Sequence, residues 1–194
     1  MIGNWTNGPA LQSLTQEQRQ QNAREIWGYF QQRGWTLESV SGMLGNMQIE
    51  SGINPAQWEE QFPIYGAGGF GLVQWTPWSN FSNWAGADWE TNYTKQLARI
   101  QYELDNGLQW IPVAADNYMT FQQFTQSTGD PGDLAMAFER GYERGTPMES
   151  ERRAAATYWY DYLGGVGPLT PHIPIWLLFK MKERYNNYGR AGII

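Results

Sequence analysis

Gly45-Asn46-Met47-Gln48-Ile49-Glu50-Ser51-Gly52-Ile53-Asn54-Pro55 is the stretch on which the reading of the fold turns. Upstream of it, Leu37, Val40, Met43, Leu44 and Met47 recur at helical spacing from a start near Thr36. Gly52 and the Asn54-Pro55 pair stop that helix, so Glu50 occupies its last turn. At about 100° per residue, Glu50 falls within about 20° of Met43, which puts a carboxyl beside the apolar stripe. Partial burial disfavours its charge, the negative end of the helix dipole does the same, and no Lys or Arg stands near it in sequence. All three effects favour the neutral acid. A carboxyl that keeps its proton near neutrality is what protonation of a departing sugar oxygen requires.

About twenty residues further on comes Gly66-Ala67-Gly68-Gly69-Phe70-Gly71-Leu72-Val73-Gln74-Trp75-Thr76-Pro77. The alternation from Phe70 to Trp75 predicts a small hairpin, with Phe70, Leu72 and Gln74 on one face and Gly71, Val73 and Trp75 on the other. Its glycines permit a ligand to approach the backbone closely. A polar amide and a flat indole then project from opposite sides of the hairpin end, a pairing suited to a sugar ring.

Working outward, Thr15-Gln16-Glu17-Gln18 has the form of a capping box, and Ala23, Ile26, Trp27 and Phe30 carry a helix toward Gly34. Thr76-Pro77 predicts a capped helix start before Trp78, Phe81 and Trp84. Asp88 is expected to open a longer helix through Trp89, Tyr93, Leu97, Ile100 and Leu104 to Gly107. Asp130-Pro131-Gly132-Asp133 starts another, through Leu134, Ala137, Phe138 and Gly141. Thr146-Pro147-Met148-Glu149 reads as a capping box for a helix bearing Ala155, Tyr158, Trp159 and Tyr162. The sum is an α+β class, mostly α-helical, with about seven helices and one small hairpin. Residues 1–14 form an N-terminal arm, 15–164 the main domain, and 165–194 a breaker-rich linker with a last helix around Ile175 to Tyr188.

Composition narrows the chemistry. Among 194 residues, 13 Lys plus Arg face 19 Asp plus Glu, a net charge of −6, which speaks against nucleic acid and against an anionic membrane surface. The chain has no cysteine and one histidine, His172, so neither a thiol nucleophile nor a His-rich metal site can be assembled, and no cofactor is expected. The longest apolar stretch, Ile173 to Phe179, contains Pro174 and is far short of the ~20 residues that cross a bilayer. The first nine residues carry neither a basic region nor an apolar run, so no secretory signal is expected there. Eleven Trp and eleven Tyr in so polar a chain point to a groove for flat-faced ligands.

Helix, glutamate, turn and glycine-rich hairpin in this order resemble the lysozyme-like superfamily, and more narrowly the phage tail lysozyme family. That family's hallmark is an asparagine-methionine-x-x-glutamate-serine-glycine helix end followed by a glycine-x-valine/isoleucine-glutamine-tryptophan-threonine hairpin. Phe138, Tyr142-Glu143-Arg144-Gly145, Pro147, Arg152 or Arg153 and Ala154-Ala155-Ala156 look like its third block, so the likeness runs roughly from Thr15 to Leu163. The approach from Trp58 to Tyr65 and everything after Gly165 depart from the pattern. The resemblance implies cleavage of peptidoglycan glycan strands, by hydrolysis or by lytic transglycosylation, in a virion-associated tail enzyme that meets other tail proteins. It makes Glu50 the catalytic acid, with Gln74, Trp75, Tyr65 and Glu143 as substrate-binding candidates. Glu59, Glu60, Asp88 and Glu143 are the candidates for a second carboxylate, which an inverting mechanism places roughly 6.5 to 9.5 Å away and a retaining one roughly 5 to 5.5 Å. A transglycosylase needs none, because the C6 hydroxyl of a muramic acid residue attacks its own C1. The alternative is a non-catalytic glycan-binding or structural tail module that kept the fold.

Overall fold

The computed structural model describes residues 5–7, 13–60, 64–145 and 148–164. Among them stand seven α-helices: α1 (Gln16–Gln31), α2 (Leu37–Glu50), α3 (Ser79–Ala85), α4 (Thr94–Asp105), α5 (Phe121–Thr125), α6 (Pro131–Phe138) and α7 (Glu149–Leu163). A 3₁₀ turn spans Ala114–Asp116 and a π-helical turn spans Glu139–Glu143. The expected linker and last helix, with His172, lie outside the described residues, as does most of the N-terminal arm.

Local chemistry sets the helix starts. The Thr15 side chain accepts the N–H of Gln18 at 3.3 Å, and the Gln18 side chain takes the N–H of Thr15 at 2.8 Å, the reciprocal box expected for α1. Thr36 caps α2 through the N–H of Ser39 at 3.2 Å, and Asp130 caps α6 through Asp133 at 3.0 Å with Pro131 in the first turn. The five-residue α5 has a capping box of its own, Thr120 with Gln123, but is too short to show a periodicity. Two expected starts differ. Asp88 sits in a turn, where its carbonyl takes the N–H of Asn92 at 2.9 Å and its carboxylate takes Asn92 Nδ2 at 3.0 Å and Lys95. Those local bonds compete with helix, and α4 begins only at Thr94. Thr76 donates its hydroxyl to the Gln74 carbonyl at 2.9 Å instead of capping α3, which starts at Ser79 without a side-chain cap. The Thr146-Pro147 part of the box expected before α7 lies outside the described residues.

The centre of the molecule is α2, buried at every position from Ser39 to Ile49. A helix enclosed on all sides needs bare backbone where its neighbours come closest. A Cβ added to Gly42 would stand 2.9 Å from the Leu134 and Ala135 backbone of α6, and one on Gly45 would stand 2.6 Å from the Arg152 carbonyl oxygen of α7. Real contacts of that length do not occur, so these two residues set how closely α6 and α7 lie on α2. Asn46 locks the first contact by donating to the Ala135 carbonyl at 2.8 Å.

The hairpin is not formed, and no strand is present among the described residues. Isolated bridges join Trp58 to Phe70 and Phe70 to Trp75. Phe70 and Trp75 exchange their backbone bonds at 3.3 and 3.1 Å around a tight turn closed by Gln74 N–H on the Gly71 carbonyl at 3.2 Å. Six residues are too few for a chain reversal and two strands, and Gly71 and Gln74 both take positive φ, 85° and 50°, to make the reversal. The period of two therefore lapses: Phe70, Leu72, Val73 and Trp75 are all buried.

Candidate active site

Glu50 ends α2 with its side chain 22% exposed, and its Oε1 accepts a hydrogen bond from Arg152 Nη2 at 2.6 Å. The arginine, from α7, is 2% exposed and gives its Nη1 to Asn46 Oδ1 at 2.7 Å. Asn46 and Glu50 are one helical turn apart on α2, so a single planar guanidinium spans both and fixes the direction of the carboxylate. Gly45 makes this possible, because it lets the Arg152 backbone approach. The expectation that no cation stands near Glu50 is thus overturned: sequence neighbours are uncharged, but packing of α7 on α2 brings in a residue 102 positions away. Proximity in sequence could not show it.

Ser51 ties the glycine-rich turn to this site, donating its hydroxyl within reach of both the Leu72 carbonyl and the Met47 carbonyl at 3.0 Å each. The turn's own side chains are engaged within the protein. Gln74 gives its amide to the carbonyls of Gln57 at 3.1 Å and Gly71 at 2.8 Å, which holds the turn together. Trp75 is 6% exposed and stacks on Phe81, with centroids 4.8 Å apart and planes 17° apart, so it offers no open face to a sugar. Gly71 is approached closely, but by the protein itself: an added Cβ would lie 2.6 Å from Oε1 of the buried Gln96, which accepts the N–H of Leu72 at 2.8 Å and donates to the Pro55 carbonyl at 2.7 Å. Gln96 is a structural residue that α4's apolar periodicity concealed.

Tyr65 differs from Trp75. It is 56% exposed, its ring meets Trp58 at 5.0 Å and Trp78 at 5.7 Å in T-shaped contacts, and its hydroxyl donates to Glu90. The Glu90 bond and charge push that hydroxyl's ionisation upward. Trp78 and Trp89, stacked at 5.2 Å, are half-buried beside it.

The four second-carboxylate candidates separate clearly. Glu59 accepts the Gly69 N–H at 2.9 Å and so helps close the loop; Glu60 is exposed on that loop; Asp88 is exposed and paired with Lys95. Glu143 ends the π-helical turn that leads into the segment beside Glu50. Two residues on, a Cβ added to Gly145 would lie 3.6 Å from Glu50 Oε1 and 3.7 Å from Arg152 Nη2. Burial, and next the charge of Glu50, push the Glu143 carboxyl well above the usual carboxylate range, with Arg152 acting the other way. Sequence reasoning named Glu143 as a candidate through the family resemblance, but it missed Glu103, a buried α4 residue that accepts from Arg99 Nε at 2.7 Å and from the Tyr142 hydroxyl.

No group of three or more His, Cys, Asp or Glu side chains that could hold a metal occurs among the described residues, and no helix there is long and apolar enough to cross a membrane. A family model described as phage tail lysozyme matches residues 21–163. The chain is also similar to Morphogenesis protein 1 of Bacillus phage B103, with 43% identity over 157 residues that make up 79% of this chain and 42% of that protein. It therefore spans less than half the length of that curated relative.

Proposed function

We propose that this chain, which belongs to the phage tail lysozyme family, cleaves the glycan strands of peptidoglycan and acts from a virion on the bacterial wall. The observation that carries the reading is the setting of Glu50. It is a partly exposed carboxyl at the end of a rigid, buried helix, oriented by a guanidinium that is itself held by Asn46. Glycosidic cleavage needs a carboxyl fixed in direction and open to the substrate, and it needs a proton to reach the leaving oxygen. Of the aromatic candidates, Tyr65 has the open ring that stacking on a pyranose requires, and it replaces Trp75 in this reading.

Mass spectra of fragments released from purified wall test the proposal and choose the chemistry. Reducing ends mean hydrolysis, and ends lighter by one water mean transglycosylation. Glu50→Gln keeps the shape and the bond to Arg152 while losing the transferable proton, so release should fall by ~10²- to 10⁴-fold or more with the fold intact. Near-full release by a well-folded Glu50→Gln protein would sink the assignment. The phage relative is named for morphogenesis rather than lysis. It favours a second reading, a structural tail module, which absence of any release from wall by the parent chain would support.

A further inference from the structure

Two buried amides pin the loop that follows Glu50. Gln96, in the first turn of α4, holds the Leu72 N–H at 2.8 Å and the Pro55 carbonyl at 2.7 Å. Asn22, on α1, is wholly buried and donates one amide hydrogen to the Ile53 carbonyl at 2.9 Å. Ile53 comes three residues after Glu50, and it and Gly52 both take left-handed backbone, at φ 57° and 61°. A β-branched residue keeps that conformation only where its surroundings fix it. Here the Met47 carbonyl accepts the Ile53 N–H at 3.2 Å, and Asn22 holds the Ile53 carbonyl.

Asn22 has its other partner in the N-terminal arm. Its second amide hydrogen goes to the Thr6 carbonyl at 2.7 Å, and its Oδ1 accepts the Thr6 N–H at 2.9 Å with the Thr6 hydroxyl within reach at 3.1 Å. A side-chain amide has two hydrogens and two lone pairs, so Thr6 takes up what Ile53 leaves. The residues on either side of Thr6 grip the start of α4. Trp5 Nε1 donates to Thr94 Oγ1 at 3.2 Å, its ring meets that of Tyr93 in a T-shaped contact at 6.4 Å, and Asn7 Nδ2 donates to the Tyr93 hydroxyl at 2.9 Å. Three consecutive residues thus join α1 to the start of α4, the two helices that carry the pinning amides. Withdrawing Thr6 would leave a buried donor and a buried acceptor without partners until water enters or the amide turns away from Ile53.

We propose that Trp5-Thr6-Asn7 is a clasp on the active site, with Asn22 as the positioning residue through which it acts. Seated, the clasp saturates Asn22 and so holds Ile53 and the end of α2 that carries Glu50. Withdrawn, it frees the Asn22 amide, and the turn from Ser51 to Ile53 loosens while α2, α6 and α7 stay packed through Gly42, Gly45 and Asn46. Glu50 then keeps its bond to Arg152 but loses the fixed helix end beneath it, and a misplaced reacting group slows chemistry more than it weakens binding. The effect on catalysis rests on the function proposed above; the coupling of the clasp to the turn does not.

The test is amide hydrogen exchange of the full chain followed by NMR, comparing the parent with the double variant Trp5→Ala, Thr6→Pro, which removes the ring on Tyr93 and the N–H and hydroxyl of Thr6. Exchange at the Ile53 N–H should quicken by about tenfold or more, with that of Trp159 within α7 staying within about twofold of the parent. On soluble wall fragments kcat should fall by about tenfold with KM within about twofold, because the groups that bind are untouched and the group that reacts is less well held. Thr6→Ser, which keeps the N–H, the carbonyl and the hydroxyl, should match the parent in both readings. A merely structural arm predicts an equal rise at Ile53 and Trp159 and no change in kcat per folded molecule. That outcome, an unmoved Ile53, or an unchanged kcat in an active chain overturns the clasp. Should the double variant fail to fold, Thr6→Val, which lacks only the hydroxyl, decides: Ile53 should quicken by about threefold and Trp159 not at all. If Ile53 responds selectively but the parent releases no wall fragments, the clasp stands and the proposed function falls. Fragment release by a parent whose Ile53 does not respond to the variants gives the reverse.

Discussion

The helical slab of α2, α6 and α7 and the loop from Ser51 to Trp78 meet at Glu50, and each is held rigid by different means. In the slab, shape does the work: Gly42 and Gly45 admit the neighbouring backbones, and one buried guanidinium joins Asn46 to Glu50. Among the described residues of the loop there is almost no regular structure. Side-chain amides close it, with Gln74 on Gln57 and Gly71, Gln96 on Pro55 and Leu72, and rings fill it, with Phe70, Trp75 and Phe81 packed together. A slab of this kind fixes a carboxyl to within fractions of an ångström, whereas a loop of this kind can present an exposed ring. Changes in the slab should therefore reach the chemistry, and changes in the loop should divide into those that unfold it and those that only touch a ligand.

The largest effect on stability is expected at Trp75. Replacing a buried indole that stacks on Phe81 with a methyl group removes core volume, so Trp75→Ala should cost about 3 to 5 kcal/mol in urea unfolding. A loss below about 1 kcal/mol would show that the ring is not in the core and would restore its place in the sugar groove. The next effect sharpens the slab. Gly45→Ala puts a Cβ 2.6 Å from the Arg152 carbonyl oxygen, and backbone cannot swing aside as a side chain can. It should cost about 1 to 3 kcal/mol and, by lifting α7, lower wall cleavage as well. Gly28→Ala is the control: it lies within α1 with nothing near its added Cβ, and should gain about 0.5 to 1 kcal/mol. Equal effects at the two glycines would remove the argument from close packing.

How much of this could be seen in the sequence follows the same division. The slab was legible in outline because capping boxes and apolar periodicity are local: Thr15 with Gln18, Thr36 before α2 and Asp130 before α6 all act where they were expected. Glu50 at the end of α2 was legible for the same reason. The Arg152 bond was not, since nothing within a few residues of either partner marks it. In the loop the alternation of Phe70 to Trp75 pointed to a hairpin, but alternation does not say whether a reversal consumes the residues that would pair. That one error moved Trp75 from the core to the surface. The exposure of Tyr65 depends on where the loop folds back, which is again a property of contacts rather than of pattern.

The smallest effect expected is at Tyr65, and it is the one that separates binding from folding. The residue sits at φ 62° and is 56% exposed, so it contributes little to the core and holds a backbone conformation that costs roughly 1 to 2 kcal/mol for a residue with a Cβ. Tyr65→Ala removes the ring and leaves the strained backbone; Tyr65→Gly removes both. If the ring packs on a sugar, the two variants should lose the same affinity for soluble wall fragments. About tenfold in Kd, or about 1.4 kcal/mol, is expected by fluorescence titration. Their stabilities should differ, with Tyr65→Gly above Tyr65→Ala by up to about 1 kcal/mol. Affinity lost in proportion to stability would mean that Tyr65 only braces the loop against Trp58 and Trp78. Affinity unchanged in both would remove Tyr65 from the groove and leave the half-buried pair Trp78 and Trp89 as the aromatic surface to examine, by the same pairing of a binding titration with an unfolding curve.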